Sequence, residues 1–203
     1  MPPPEPQVVD LVFDVEGESL PADYAWPLAQ AIERRLPWLA GEPHAGVHPL
    51  KAPPPAGGIV LLAQRVKLTL RVPEARREDC VALAGTELDV AGSRLRIGGG
   101  RPRALVPSAT VAAQRVAGAA TDPAAFEAEV AAALAALAIA CDLISGRPRQ
   151  GRAGARAIAG FALTLHGLGA ADSVRVQAVG IGEHRRLGWG LFVPAKTIVA
   201  AAG

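Results

Sequence analysis

The sequence predicts an α+β protein built from two tandem ferredoxin-like units, each with the element order β-α-β-β-α-β that is also found in RNA recognition motifs. Two observations support this fold class. The alternation of strand and helix patterns occurs twice along the 203 residues, and a run of three glycines at 98–100 separates the two cycles. We therefore expect an N-terminal unit at residues 1–100 and a C-terminal unit at residues 101–203.

The first cycle begins with a strand at residues 8–15, where apolar residues alternate imperfectly with acidic ones. A helix follows, with Pro21 in its first turn and an apolar stripe at helical spacing that ends before Pro37. The remaining elements of this unit are two strands, a short helix and two more strands. They are expected at residues 59–63, 66–72, 73–83, 87–90 and 94–97.

The second cycle begins with an extended segment at residues 105–116. Asp122 and Pro123 then form the N-cap and first position of a helix whose apolar residues share one face. A short strand, a longer strand, a helix and a closing strand complete the unit, in that order. They are expected at residues 143–144, 158–165, 170–179 and 189–193.

Charge is distributed unevenly along the chain. Residues 141–203 contain seven Arg and one Lys against three acidic residues, a net charge of +5, so residues 1–140 carry 2 − 5 = −3. A basic third on an acidic remainder indicates a polyanionic partner that one part of the surface binds, and a solvated charged face is the alternative. Aromatic residues make up only 4% of the chain, so nucleic-acid binding has to rely on charge, backbone amides and shape.

Composition also argues against several classes of protein. Cys80 and Cys141 match neither a metal-ligand spacing nor a disulfide framework, so we expect no metal site and no cofactor. The Pro-rich first residues lack the features of a signal peptide, and the longest apolar stretch, at 130–141, is shorter than the roughly 20 residues that span a bilayer. We therefore expect a cytoplasmic protein that does not bind membranes.

Residues 180–190 have the chemical character of a phosphate-binding loop. Glycines permit positive φ and close backbone approach, so backbone amides can face phosphate oxygens while arginines neutralise them. The residues that would act in this way are Gly180, Gly182, His184, Arg185, Arg186, Gly188 and Gly190. The segment is neither a Walker A loop nor a dinucleotide fingerprint. It is expected to bind RNA or another phosphate ligand, and a structural β-bulge turn is the alternative.

A second basic segment, at residues 146–156, contains four arginines among glycines. They are Arg147, Arg149, Arg152 and Arg156. Such a loop is expected to stay mobile until it meets a phosphate backbone, which suits a clamp on an RNA stem. The alternative is a hairpin tip that binds nothing.

The motif Gly-apolar-Gly, a short polar and basic run, and then Gly-x-Gly-apolar-Phe resembles the glycine-rich signature of the CRISPR-associated repeat endoribonucleases, the sixth numbered CRISPR-associated family. Further segments resemble one branch of that family, and together they cover the chain from residue 9 to residue 196. They are Val9-Asp10-Leu11-Val12-Phe13, Leu20-Pro21-Ala22-Asp23, Leu36-Pro37-Trp38-Leu39, Gly46-Val47-His48-Pro49-Leu50, and Arg185-Arg186-Leu187-Gly188 through Phe192-Val193-Pro194.

This resemblance implies a metal-independent ribonuclease that cuts the repeat of a CRISPR precursor transcript at the base of a stem-loop. In the family, the ribose 2′-hydroxyl attacks the adjacent phosphate and leaves a cyclic phosphate and a free 5′-hydroxyl. The implied partner is CRISPR repeat RNA, and other subunits of a CRISPR effector complex are possible further partners. Such chemistry requires a base, an acid and a cation at the phosphorane.

Histidine suits the acid or base role because its pKa lies near neutrality. His48 is the first candidate, since the family often has its catalytic histidine just after the first helix, and His44 is the second. Tyr24 is expected to orient or assist, and Lys51 to stabilise charge. The alternatives are histidines without chemistry, a core tyrosine and a solvated lysine.

Ala40 departs from the family pattern, because relatives commonly have histidine directly after Trp-Leu. This departure leaves open a second function, in which the same fold binds the repeat RNA as a subunit of an effector complex without cleaving it. A third reading is a structural ferredoxin-like protein without an RNA partner, but the two basic segments argue against it.

Overall fold

The computed structural model describes residues 6–196, and within that range it contains two main sheets, a two-stranded ribbon and three α-helices. The strands are β1 (Val8–Glu16), β2 (Ser19–Pro21), β3 (Gly46–Val47), β4 (Ile59–Leu61), β5 (Lys67–Pro73), β6 (Glu87–Val90), β7 (Ser93–Ala104), β8 (Thr110–Ala117), β9 (Asp142–Ala153), β10 (Arg156–His166) and β11 (Val193–Pro194). The helices are α1 (Ala25–Glu33), α2 (Pro123–Ala136) and α3 (Ala170–Val179).

The first sheet has the strand order β3-β5-β1-β7-β6, and all its pairs are antiparallel. Leu11 and Phe13 of β1 pack in one core with Leu28 and Ile32 of α1, so α1 covers that face of the sheet. Counting the β6–β7 hairpin as the last strand, this is the ferredoxin-like arrangement of the first unit.

Two elements of the first unit differ from the prediction. Residues 73–83 do not form a short helix but two 3-10 turns, Glu74–Arg76 and Glu78–Leu83. The predicted strand at 59–63 lies outside the main sheet, because β4 pairs with β2 in a separate ribbon. The second strand of the unit is β3, which hydrogen-bonds to the edge of β5 through only two residues.

The second sheet has the order β11-β8-β10-β9, again antiparallel, and is packed against α2 and α3. Helix α2 begins as predicted, since the side chain of Asp122 accepts a hydrogen bond from the Ala125 amide at 2.9 Å. Helix α3 has the predicted bounds. The closing strand is shorter than predicted, since only Val193 and Pro194 pair with β8. Together the two sheets confirm two tandem ferredoxin-like units.

The basic segment at residues 146–156 is a β-hairpin and not the predicted loop. Strands β9 and β10 pair up to Ala153 and Arg156, with a tight turn at Gly154 and Ala155. Gly151 makes room for a neighbouring ring, because a Cβ at this position would lie 3.0 Å from Trp189. Pairing with the apolar strand β10 therefore orders a sequence whose composition is typical of a loop.

The three glycines at residues 98–100 lie inside β7 and not at a linker. A Cβ at Gly100 would lie 2.5 Å from the Phe13 ring, so β1 and β7 can pair here only with glycine. The predicted boundary at residue 100 therefore falls within a strand of the first sheet, and the connection to the second sheet runs through residues 105–109.

Polar and apolar contacts join the two units. Arg71 of β5 is fully buried and donates from Nη1 to the carbonyls of Gln177 and Phe192, both at 2.8 Å. Ala29 of α1 packs with residues of the second unit, among them Ile158 and Trp189. None of the helices within residues 6–196 is long and apolar enough to cross a membrane.

Candidate functional site

A cleft of about 520 Å³ lies between the two sheets. Asp10 and Val12 of β1 line it, and because they alternate with the core residues Leu11 and Phe13, the cleft is on the sheet face opposite α1. Several basic side chains face the same space. They are Lys51, Arg65, Lys67, Arg71 and Arg103. Such a cleft is suited to an anionic ligand.

Asp10 is the centre of a buried charge network in this cleft. Its cross-strand neighbours are Arg71 on β5 and Arg103 on β7. The Arg71 guanidinium donates to both carboxylate oxygens, at 2.8 and 3.2 Å, and Arg103 adds a bond of 3.1 Å. Burial by itself raises the pKa of the Asp10 carboxyl, but the contacts with His48 and Arg71 outweigh it and hold that pKa well below its ordinary value.

His48 lies beside this carboxylate. Its Nε2 is 3.4 Å from Oδ1 of Asp10, without hydrogen-bond geometry. The His48 side chain is 12% exposed. Burial lowers the pKa of the imidazole, and the Asp10 carboxylate offsets this only in part. The neutral imidazole is therefore the favoured form near neutral pH, which is the form that a general base requires.

The four predicted catalytic residues do not all meet in one place. His48 and Lys51 line the cleft, whereas Tyr24 and His44 are not among its lining residues. The Tyr24 hydroxyl accepts a hydrogen bond from the Leu50 amide at 2.9 Å, and burial raises its pKa. This bond connects α1 to the loop that carries His48 and Lys51, so Tyr24 is placed to position that loop.

The glycine loop is more buried than its composition suggests. Arg185 is 7% exposed, and its guanidinium donates to the carbonyls of Val179, Ala178 and His44. Burial lowers the pKa of the Arg185 guanidinium to about 10. The prediction that Arg185 neutralises a phosphate needs correction, because these bonds make it a cap for the end of α3 that also holds the loop before β3.

The other predicted residues of this loop have mixed surroundings. Arg186 forms an ion pair with Glu33 of α1, and His184 is half-buried with positive φ. The four glycines all have positive φ: Gly180, Gly182, Gly188 and Gly190. Gly182 is the exposed one of the four, so the loop serves first to pack the second unit against the first. Its contact with RNA stays a prediction for Gly182, His184 and Arg186.

The packing role of the loop predicts a large penalty for a side chain at Gly190. A Cβ there would lie 2.2 Å from the Ile181 carbonyl oxygen, in addition to the strain of φ +65°. We expect Gly190→Ala to lower the free energy of unfolding by about 3 kcal/mol, measured by urea denaturation. Gly167→Ala is the matched control, because Gly167 has φ +74° but open space around its Cα. That variant should cost about 1 kcal/mol, and equal losses would show that strain alone matters.

All four arginines of the β9–β10 hairpin are exposed. They are Arg147, Arg149, Arg152 and Arg156. Arg149 donates from Nε to the carbonyl of Gln114 at 3.1 Å, and Arg152 makes only long contacts of 3.5 Å within its own turn. The structure thus presents them on a paired arm and leaves their guanidinium groups accessible.

Arg71 and Arg103 complete the charged part of the cleft. Arg71 stands in a strand where apolar alternation is the dominant signal, so the sequence alone does not identify it. Arg103 follows the glycines at 98–100, and the sequence suggests it only as part of a longer basic track. The signal that points to them is the acidic residue inside the apolar strand β1, since a buried Asp10 requires cationic neighbours. Residues 6–196 contain no group of three or more His, Cys, Asp or Glu side chains that could hold a metal ion.

Comparison with known proteins gives a consistent result. The family model described as Cas6 Crispr matches residues 9–197. The chain belongs to the Cas6 family. A Cas6-family protein from Myxococcus xanthus (strain DK1622), named CRISPR-associated endonuclease Cas6, is 38% identical over 187 residues, which are 92% of this chain and 81% of the relative.

Solved structures share the Cas6 fold. A structure described as CRISPR associated protein Cas6 superimposes with a TM-score of 0.67 at 12% identity and covers 94% of this chain and 100% of its own. Cse3 from Thermus thermophilus, bound to an RNA representing a pre-cleavage complex, gives a TM-score of 0.52 at 15% identity, with coverage of 94% and 100%. At these identities the likeness concerns the fold, which is the tandem ferredoxin-like arrangement.

Proposed function

We propose that this Cas6-family protein is an endoribonuclease that binds CRISPR repeat RNA and cleaves it without a metal ion. The name of the Myxococcus relative and the RNA-bound Cse3 structure support the substrate class. The observation that carries the proposal is the position of His48 and Lys51 in one basic cleft, beside the Asp10 network.

The chemistry follows from these groups. A neutral His48 imidazole accepts the proton of a ribose 2′-hydroxyl, and that oxygen attacks the adjacent phosphorus. The P–O5′ bond then breaks, and the departing 5′-oxygen takes a proton from water, which leaves a 2′,3′-cyclic phosphate and a free 5′-hydroxyl. The Lys51 ammonium stabilises the negative charge that develops on the phosphorane, and Asp10 fixes the position of the imidazole.

The exposed arginines of the β9–β10 hairpin supply the sequence-independent part of RNA binding. Guanidinium groups on a paired arm keep a fixed spacing, which suits the phosphates of a double-stranded stem. The RNA stem would then lie along the arm in the second unit, with the cleaved linkage reaching the cleft between the units.

The test of this function is incubation of the protein with a repeat stem-loop RNA in excess EDTA. We expect cleavage at one position, with a 5′ fragment that ends in a cyclic phosphate and resists ligation until it is treated with acid and phosphatase. Binding without cleavage would reject the endonuclease proposal and favour the second candidate below. Cleavage that EDTA abolishes would reject the metal-independent route.

Neutralising two arm arginines should weaken RNA binding without affecting the fold. We expect the double variant Arg147→Gln, Arg156→Gln to lower the slope of log K against log salt by about 2, as each lost phosphate contact removes about one released counterion. Fluorescence anisotropy with labelled stem-loop RNA measures this. The control Arg94→Gln, Arg101→Gln removes two exposed arginines of β7 instead, and an equal loss in that control would show that the arm has no special role.

A second candidate function is binding of repeat RNA without cleavage, as a subunit of an effector complex. The observation that favours it is Ala40, which is exposed in the 3-10 turn Pro37–Gly41, where the resemblance to the family leads us to expect histidine. The EDTA assay separates the two candidates, because only the endonuclease yields the cyclic phosphate product.

A further inference from the structure

Arg115 of β8 has no role in the proposed mechanism, but its side chain lies in an unusual environment. Its Cζ lies 5.6 Å from the centre of the Trp189 ring, and burial lowers the pKa of its guanidinium. The ionisable groups that act on it most strongly are the Tyr24 phenol and a second cation, Arg149. The Arg115 side chain therefore lies by the Trp189 ring, where charges on the start of α1 and on the β9 arm act on it.

Two irregularities in the second sheet create this arrangement. On β8, Gln114 and Arg115 together lie opposite Ala162 of β10, where regular pairing would place one residue. On β9, Gly146 and Arg147 also lie opposite Ala162, from the other side of the same strand. Bulges bend a strand and redirect its side chains, and they are frequent next to functional sites. Although β10 lies between β8 and β9, the Arg149 side chain reaches across it at these bulges and donates to the carbonyl of Gln114.

The guanidinium of Arg115 lacks an anionic partner in the part of the chain that the structure describes. It makes no ion pair or side-chain hydrogen bond with residues 6–196, although it is half-buried and the charge of Arg149 acts on it. Most of the other buried or half-buried arginines have such partners, since Arg71 pairs with Asp10, Arg185 with carbonyls and Arg186 with Glu33. A desolvated cation beside a like charge is unfavourable unless a ligand supplies the missing negative charge.

We infer that Arg115, together with Arg149 and the Tyr24 hydroxyl, forms a binding site for one backbone phosphate of the RNA. The inference rests on the proposed function and extends it to a site that is separate from the cleft lining. A planar guanidinium supported by the Trp189 ring presents a fixed fork of donors to phosphate oxygens. The Tyr24 oxygen accepts from the Leu50 amide, so its own hydrogen is free to be donated to the same anion.

The site is also well placed relative to the cleft. Gln114, the other bulge residue, lines the cleft together with His48 and Lys51. A phosphate at Arg115 would therefore lie one residue along β8 from the cleft, between the arm that holds the stem and the candidate catalytic residues. It would fix the register of the RNA chain as it leaves the stem.

The experiment uses a repeat RNA with a 2′-deoxy nucleotide at the cleavage position, which blocks cutting. A set of such RNAs is prepared, and each carries one uncharged methylphosphonate linkage at a different position. We expect Arg115→Gln to weaken binding of the unmodified RNA about tenfold, as for loss of one charge-assisted contact. Neutralising one particular linkage should weaken RNA binding by wild type about tenfold as well. The same linkage should weaken RNA binding by Arg115→Gln less than about twofold, because the two changes remove the same contact. The control Arg94→Gln should show the wild-type pattern at every linkage.

Thermal melting of the RNA-free protein tests the alternative that Arg115 is only structural. Removal of an unpaired, desolvated cation should leave the Tm of Arg115→Gln equal to or above that of wild type, and Arg115→Met, which keeps contact with Trp189, should behave in the same way. A lower Tm with wild-type RNA affinity would overturn the inference, as would equal effects of every linkage on wild type and Arg115→Gln. If wild type fails to bind repeat RNA at low salt, the proposed function is rejected and the inference with it.

Discussion

Replacement of Arg71 by methionine is expected to lower the free energy of unfolding by about 3–5 kcal/mol, the usual cost of removing one partner of a buried ion pair. The reason is specific to this site. Without the guanidinium, the Asp10 carboxylate keeps the His48 contact and the ion pair with Arg103, whose side chain is 57% exposed. Two carbonyls of the second unit also lose their donor. Urea denaturation followed by circular dichroism measures the loss.

Two further variants sharpen this result. Arg101→Met is the matched control, because Arg101 is an exposed arginine on β7, and we expect a change within about 0.5 kcal/mol. The double variant Asp10→Asn, Arg71→Met should lose less than the sum of its single variants, because no uncompensated charge remains. A loss below about 1 kcal/mol for Arg71→Met would show that the network does not contribute to stability.

Replacement of His48 by alanine should lower the single-turnover cleavage rate by about 100- to 10,000-fold, the range typical of a general acid or base. RNA affinity should be close to wild type, since the side chain is nearly enclosed and the arm is unaffected. Because burial lowers the pKa of His48, its neutral form persists to lower pH than in a free histidine. The rate should therefore fall with decreasing pH only below about 6.5, with an inflection that His48→Ala abolishes.

His44→Ala provides the comparison for this experiment. His44 is half-buried outside the cleft, where its carbonyl accepts from Arg185. A backbone contact survives the substitution, so we expect a rate within about threefold of wild type, as for a group without an acid or base role. If His44→Ala loses activity and His48→Ala keeps it, the assignment of the base is wrong.

Much of the fold can be predicted because local signals agree with tertiary pairing. The start of α2 depends on two adjacent residues, the N-cap Asp122 and Pro123, and the bounds of α3 also follow from its local sequence. The sequence predicts a short strand at residues 47–50, but the observed β3 is Gly46–Val47, because its extent is set by the edge of β5 with which it pairs. The hairpin at 146–156 is hidden for a related reason, since Gly151 makes room for the Trp189 ring and Gly154 supplies the positive φ of the turn.

The candidate site divides in the same way. The sequence predicts His48 and Lys51 as candidates because histidine and lysine in a long connection point to chemistry, and both line the cleft. Arg185 was assigned to phosphate because arginine among glycines has that character, but the free carbonyls at the end of α3 determine its position. The partners of Asp10 lie on strands 61 and 93 residues away, so only the antiparallel register brings them together.

The link from Arg71 to Phe192 has a consequence for the order of events during synthesis of the chain. The first sheet is complete once β7 has left the ribosome, but two acceptors of the Arg71 guanidinium belong to Gln177 and Phe192. Until those residues emerge, the Arg71 guanidinium lacks two of its acceptors, and the wall of the cleft formed by Gln177, Leu191 and Val193 is missing. Maturation of the cleft is therefore one of the last steps in folding, although the residues at its centre are among the first to be synthesised.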